Sequence, residues 1–179
     1  RVIPIAHCRI QPDCADAIRA AVLRWMAQYK IRAYDEKTGR GYIRHIYIRR
    51  GAVSGETLVC ISANCKQLPR SAELTAAIRA AVPLYGPGWI HDTLCGLTFR
   101  LSPAAFYQVN HDQAEILYRK AVQFAALTGT ETVLDLYCGT GTITLCLARE
   151  AGRAVGVEVV PQAIEDAKEN AKRNGLADK

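Results

Sequence analysis

The chain has 179 residues, half of them apolar, enough to build a core in one large or two small domains. It has no uninterrupted apolar run near about 18 residues and no leader pattern, so the expectation is a soluble, non-secreted, cytoplasmic protein with no membrane partner. The net charge of +6 is uneven: residues 1–103 hold 15 Lys and Arg against 7 Asp and Glu, whereas residues 104–179 hold 8 against 10, so the basic part is the candidate surface for a polyanion.

Seven cysteines, at positions 8, 14, 60, 65, 95, 138 and 146, are an odd number with no C-x-x-C pair. A disulfide framework or a zinc site is therefore unsupported, and a reducing compartment is the simpler setting.

In chain order, Val2 to Ala6 reads as a short strand. Asp13 is placed to cap a helix in which Ile18, Ala21, Val22, Trp25, Met26 and Tyr29 repeat at the spacing of one buried stripe. Trp25 and Met26 are thus core residues before they are ligand contacts. Asp35 to Gly41 is a polar loop or turn. Tyr42-Ile-Arg-His-Ile-Tyr-Ile-Arg-Arg50 and Thr57 to Ser62 form a hairpin across a glycine-bearing link. Strict alternation puts Arg44, Ile46, Ile48 and Arg50 on one side and Ile43, His45, Tyr47 and Arg49 on the other. Interleaved cations and rings suit RNA, though an edge strand kept soluble by arginines has the same pattern.

Ser71 is placed to cap a second helix with Leu74, Ile78, Ala81 and Val82 inward, broken by Pro83 to Gly88. Asp92 to Leu101 reads as a hairpin turning at Cys95-Gly96. After Phe106-Tyr-Gln-Val-Asn110 comes an amphipathic helix with Ala114, Leu117, Tyr118, Ala121, Val122 and Ala125 on its stripe, ending at Thr128-Gly129. The domain boundary is expected near Ser102.

Thr132-Val-Leu-Asp-Leu-Tyr-Cys-Gly-Thr-Gly-Thr142 is a strand running into a glycine turn and then a helix. A second strand, Ala154 to Glu158, ends in an acid 19 residues past Gly139. This is the first half of a nucleoside-binding α/β unit, in which glycines admit the ligand and the carboxylate takes the ribose hydroxyls. The third glycine of a dinucleotide fingerprint is replaced by Thr144. Asp135 would repel a pyrophosphate but suits an ammonium and a sulfonium. Both features favour S-adenosylmethionine over NAD; the plainer alternative is a βαβ unit whose glycines serve only the turn. A last helix starts at Pro161 and stops at Asn174-Gly175. With only two parallel strands present, the expectation is a fragment of a larger sheet.

Arg44-His-Ile-Tyr-Ile-Arg49, Ser102-Pro-Ala-Ala-Phe-Tyr-Gln-Val-Asn110, Asp135-Leu-Tyr-Cys-Gly-Thr-Gly-Thr142 and Gly156-Val-Glu-Val-Val-Pro-Gln-Ala-Ile-Glu-Asp-Ala-Lys-Glu-Asn170 together resemble the RumA-type 23S rRNA (uracil-5-)-methyltransferases. The resemblance covers most of the chain. It implies an α/β protein: an N-terminal α+β central domain over 1–102 that contacts RNA, then the truncated first half of a Rossmann-like methyltransferase domain over 103–179. Gln108, Tyr137, Gly139 and Glu158 would bind S-adenosylmethionine, with Gly141 also permitting close backbone approach. In that family a uridine is flipped out, a cysteine thiolate attacks carbon 6, carbon 5 takes the methyl and a base removes its hydrogen. The cysteine and the base are expected beyond Lys179. Cys138 lies in the cofactor turn, so no catalytic residue is assigned and the chain as it stands is expected to bind without turnover.

Many relatives carry an iron–sulfur cluster on four cysteines; Cys8 matches the fourth, its partners are missing, and a buried structural role is the alternative, so the metal assignment stays open. A strand-containing insert between Val82 and Leu84 and an amino-terminal barrel, both common in the family, are not seen. Competing readings are a tRNA uridine-5-methyltransferase, a non-catalytic RNA-binding fragment and an NAD-dependent oxidoreductase.

Overall fold

The computed structural model describes residue 5 and residues 7–83 and 86–179. The strand expected over Val2–Ala6 falls, apart from Ile5, outside them, as do Leu84 and Tyr85. The chain divides into two compact units, one made of Arg1–Arg50 and Thr57–Gly86, the other of Gly51–Glu56 and Pro87–Lys179.

In the first unit, helices α1 (Cys14–Gln28) and α2 (Ser71–Ala81) bury their stripes against an antiparallel pair, β1 (Ile43–Arg50) and β2 (Thr57–Ala63). The core is Ile18, Val22 and Trp25 of α1 with Ile31, Ile43, Leu74 and Ile78; Met26 and Tyr29 pack half-buried against it. Burial of each such side chain contributes roughly 1.5–3 kcal/mol. Neither expected cap acts as one. Asp13 stands at the N-cap of α1 in helical backbone and makes no capping bond; the Ala15 amide bonds the Pro12 carbonyl instead, at 2.8 Å. Ser71 is already inside α2, whose N-cap is Arg70 at φ 56°. Tertiary contacts hold Arg70 there: its carbonyl accepts from the Trp25 indole at 3.0 Å, and its guanidinium lies 3.0 Å from Glu73 and 5.5 Å from the Tyr29 ring.

Alternation in β1 also fails at its start. Ile43 pairs with Ala63 but His45 with Ser62, a bulge at Arg44. One extra residue flips everything before it to the other face. Ile43 thereby joins Ile46 and Ile48 on the core side, while Arg44 and His45 are both exposed. Arg44 pairs with Glu36 and lies 4.4 Å from the Tyr34 ring. Arg49 is buried and donates to the Tyr47 hydroxyl at 2.6 Å.

The second unit contains the antiparallel hairpin β3 (Ile90–Leu94) and β4 (Leu97–Leu101), α3 (His111–Ala125), and the parallel pair β5 (Thr132–Leu136) and β6 (Arg153–Val157) with α4 (Thr142–Ala148) crossing between them. The helix α5 (Pro161–Arg173) follows, with proline in its first turn as expected. The β3–β4 turn falls at Cys95 and Gly96, φ 52° and 75°, the left-handed pair that a two-residue hairpin turn needs. The buried Asp92 carboxylate accepts from the amides of Ala52, Val53 and Ser54 at 2.8, 2.9 and 3.3 Å, which fastens the turn 51–56 to β3.

The division between units falls at Gly86/Pro87, not near Ser102. β3 and β4 go with the second unit because the side chains of α5 bond the backbone of β4. On α3, Asn110 caps the helix through Gln113 N–H, and Ala114 and Tyr118 are buried. Leu117 departs from the expected stripe at 58% exposure, and the helix stops at Ala125, ahead of Thr128-Gly129. No helix among the described residues is long and apolar enough to cross a membrane. All seven cysteines are free.

Candidate cofactor site

β5 ends at Leu136 and the chain turns sharply. Tyr137, Gly139 and Gly141 all have positive φ, at 67°, 55° and 81°. Two glycines take this conformation at little cost, but a tyrosine there is strained. The residue is 86% exposed, so no packing within the unit accounts for the strain. The turn is stitched in place by the Cys138 amide to the Val157 carbonyl at 3.0 Å and by the Gly141 amide to the Cys138 carbonyl at 2.9 Å.

The glycines differ in role. A Cβ on Gly139 would meet nothing within 4 Å, so this position faces open space. A Cβ on Gly141 would meet the Ala167 Cβ at 3.3 Å, where α5 packs against the turn. Gly156, to which sequence reasoning gave no role, is the most constrained: a Cβ there would lie 2.8 Å from the Cys138 sulfur. The signal available was a lone glycine inside a strand, a mark of close approach.

Glu158 follows the last residue of β6. Its Oε2 accepts from the Gly139 amide at 3.1 Å, and its Oε1 accepts from Val159 and Val160 at 2.7 and 2.9 Å. The Val160 amide, opposed by burial and reinforced by those of Gly139 and Val159, holds this carboxyl below the usual carboxylate value. An ionised carboxylate is thus fixed beside the open face of Gly139, with an acceptor site on Oε2 left for a hydroxyl donor.

Asp135 is half-buried and accepts from the Thr144 hydroxyl. The threonine that replaces the third fingerprint glycine therefore bonds the carboxylate of the preceding strand. Tyr118 of α3 bonds the Thr142 hydroxyl at the start of α4, at 3.1 Å. Cys138 is buried; burial pushes its thiol pKa up, and the Asp135 and Glu158 charges push it further, the wrong direction for a nucleophile.

The structure joins Glu158 to Gly139 directly, with Tyr137 two residues before the glycine. Gln108 lies half-buried between β4 and α3, and no hydrogen bond links its side chain to these residues. Neither Glu158 nor Gly139 lines either of two cavities: one of ≈ 460 Å³ is lined by Cys95, Tyr118, Arg119, Cys146 and Arg149, and one of ≈ 230 Å³, on the inner side of the turn, by Cys138, Gly141, Thr144, Gly156 and Ala167. The Glu158–Gly139 pair is an open surface feature. Cys8 is half-buried, and among the described residues no three His, Cys, Asp or Glu side chains group as a metal site.

Residues 127–178 match the model of a methyltransferase domain. The chain is 38% identical over 201 residues, 99% of its length, to an RNA methyltransferase of Halalkalibacterium halodurans described as uncharacterized, and covers 44% of that protein. It is 36% identical over 199 residues, 98% of its length, to another so described from Clostridium acetobutylicum, covering 43%. The chain thus spans less than half the length of these curated relatives. Among solved structures, a Pyrococcus abyssi tRNA (uracil-54, C5)-methyltransferase in complex with S-adenosyl-L-homocysteine superposes with a TM-score of 0.78 at 22% identity, over 98% of this chain and 48% of that one.

The mixed α/β fold is that of S-adenosylmethionine-dependent methyltransferase structures. Within that class, the relatives to which the chain is similar are RNA methyltransferases.

Proposed function

We propose that this chain is the cofactor-binding and RNA-contacting part of an S-adenosylmethionine-dependent RNA methyltransferase acting on carbon 5 of a uridine. The observation that carries the reading is the Glu158 carboxylate, bonded to Gly139 N–H beside a glycine whose outer side is open. A carboxylate there accepts a ribose hydroxyl hydrogen, while Asp135 on the preceding strand would repel the pyrophosphate of a dinucleotide. When bound, S-adenosylmethionine supplies an electrophilic methyl group.

The chain's own residues bind and orient. Glu158 holds the sugar, Gly139 admits the adenosine, Tyr137 offers an exposed ring face and Gln108 an amide from the preceding segment. Cys138 stays a buried thiol. The first unit contributes the RNA contacts and the second the cofactor site. Exposed cations of the first unit, among them Arg32, Lys37, Arg40 and Arg50, are suited to phosphates. Arg44 is engaged by Glu36 and Tyr34, and the buried Arg49 supports the strand.

The motif resemblance favours a uridine of 23S rRNA. A second reading, a tRNA uridine, is supported by the fold neighbour from Pyrococcus abyssi, a tRNA (uracil-54, C5)-methyltransferase. Calorimetric titration with S-adenosylhomocysteine and with NADH tests the cofactor: micromolar uptake of the former alone is expected, and preference for NADH overturns the assignment. Competition between a 23S rRNA fragment and tRNA for the same chain decides between the two RNA readings.

A further inference from the structure

Helix α5 and its C-cap carry two asparagines one turn apart, Asn170 and Asn174, and both reach the outward backbone edge of β4. Asn174 accepts from the Thr98 amide at 2.9 Å and donates to the Thr98 carbonyl at 2.8 Å. Asn170 accepts from the Arg100 amide at 2.7 Å and donates to the Arg100 carbonyl at 3.3 Å. The spacings agree: four residues of helix rise about 6 Å, and two residues of strand about 6.8 Å. The two side-chain amides thus stand in for a neighbouring strand.

The second donor of each amide breaks the symmetry. Asn174 returns it to its own helix, at the Asn170 carbonyl, 2.8 Å. Asn170 sends it to the carbonyl of Thr140, the middle residue of Gly139-Thr140-Gly141, at 3.0 Å. Asn170 is fully buried, and its acceptor and both its donors are engaged. The buried Thr140 hydroxyl has no hydrogen-bond partner, so the carbonyl bond is what ties Thr140 to α5. Arg100 in turn lies one residue before the end of β4, on the strand that leads into the Gln108 segment.

We propose that Asn170 is a positioning residue for the cofactor site: one buried amide couples the glycine turn to the strand feeding Gln108, so the two sides of the site keep a single spacing. The role rests on the S-adenosylmethionine reading, and Asn174 is its internal control. Asn170→Ala and Asn174→Ala each remove one amide from the edge of β4, but only the first releases the turn. In calorimetry on folded samples, S-adenosylhomocysteine affinity falls at least about tenfold in Asn170→Ala and stays within about twofold of wild type in Asn174→Ala. Asn170→Ser, a smaller polar replacement, gives the same direction should the alanine variant not fold.

Hydrogen exchange provides a ligand-free readout. Amides of 139–142 exchange faster in Asn170→Ala and unchanged in Asn174→Ala. Equal affinity losses in the two variants, or equal protection of the turn amides, overturn the positioning role. An exchange difference between the two variants, together with a wild-type chain that takes up no S-adenosylhomocysteine, overturns the cofactor reading, and the role in cofactor positioning with it.

Discussion

The Glu158 carboxylate and the Gly139 amide, nineteen residues apart in the chain, are joined by a 3.1 Å hydrogen bond. That bond makes the acid at the tip of β6 and the turn after β5 one object. With the Val160 amide as the main cause, it also helps hold the carboxyl below its usual value, beside the open side of the glycine. The chemistry proposed for the chain depends on this pairing more than on either residue alone.

Replacing Glu158 by Gln keeps the shape and removes the charge. S-adenosylhomocysteine affinity is expected to fall roughly tenfold or more, because a charge-assisted acceptor becomes a neutral one. Calorimetry checks it, and an unchanged dissociation constant in a folded variant removes Glu158 from the site.

Tyr137 carries backbone strain that no packing in its own unit explains. Tyr137→Gly relieves a left-handed conformation worth about 1–2 kcal/mol and adds a glycine entropy cost of about 0.5–1 kcal/mol. Melting temperature should hold or rise while cofactor affinity drops. Loss of both together would mean that the ring serves the fold.

Gly156→Ala drives a methyl group to 2.8 Å from the Cys138 sulfur. Overpacking of this kind costs typically about 1–3 kcal/mol. Pairing it with Cys138→Ala removes the sulfur and should recover part of the loss, a non-additive result readable in urea unfolding. Strict additivity would show that the two positions do not press on each other.

Glu131 accepts from the amides of Thr128, Gly129 and Thr130 at 2.9, 3.1 and 3.2 Å and from the Thr128 hydroxyl, just before β5. The Thr128 hydroxyl and amide bonds are the main causes that bring its carboxyl pKa down to about 2. The folded value lies below the unfolded one, so the unfolded chain binds the extra proton. The stabilisation is therefore complete above the ordinary glutamate pKa near 4.5 and disappears as pH falls to about 2. Wild type and Glu131→Gln should differ in denaturant midpoint at pH 7, and the gap should close on acidification. A gap that widens in acid contradicts the assignment.

For RNA, exposed cations and the buried one separate cleanly. Neutralising Lys37, Arg40 and Arg50 together should weaken binding and flatten the salt dependence, by a slope of about 0.7 for each phosphate of a single strand that is no longer neutralised. Arg49→Met should instead lower stability by removing the Tyr47 bond and leave the slope alone. A slope that follows Arg49 would return the RNA face to the other side of β1.

What the chain discloses on its own is local. The stripe of α1, the glycines of the turn, Pro161 in the first turn of α5 and the hairpin at Cys95-Gly96 were all legible, because backbone propensity and side-chain period act over a few residues. The glycine turn and its distant acid were legible too, as a spacing, without the bond that unites them.

Tertiary structure decided the rest. The bulge at Arg44 moves Ile43 into the core because α1 and α2 supply apolar partners there. Arg70 rather than Ser71 begins α2 because Trp25 and Tyr29 hold it. The unit boundary sits at Gly86/Pro87 because Asn170 and Asn174 bond a strand some seventy residues earlier. None of these partners is near in sequence. A buried amide or a strained turn is chosen by whichever groups the folded chain brings within hydrogen-bond reach, and that depends on the whole packing rather than on any window of residues.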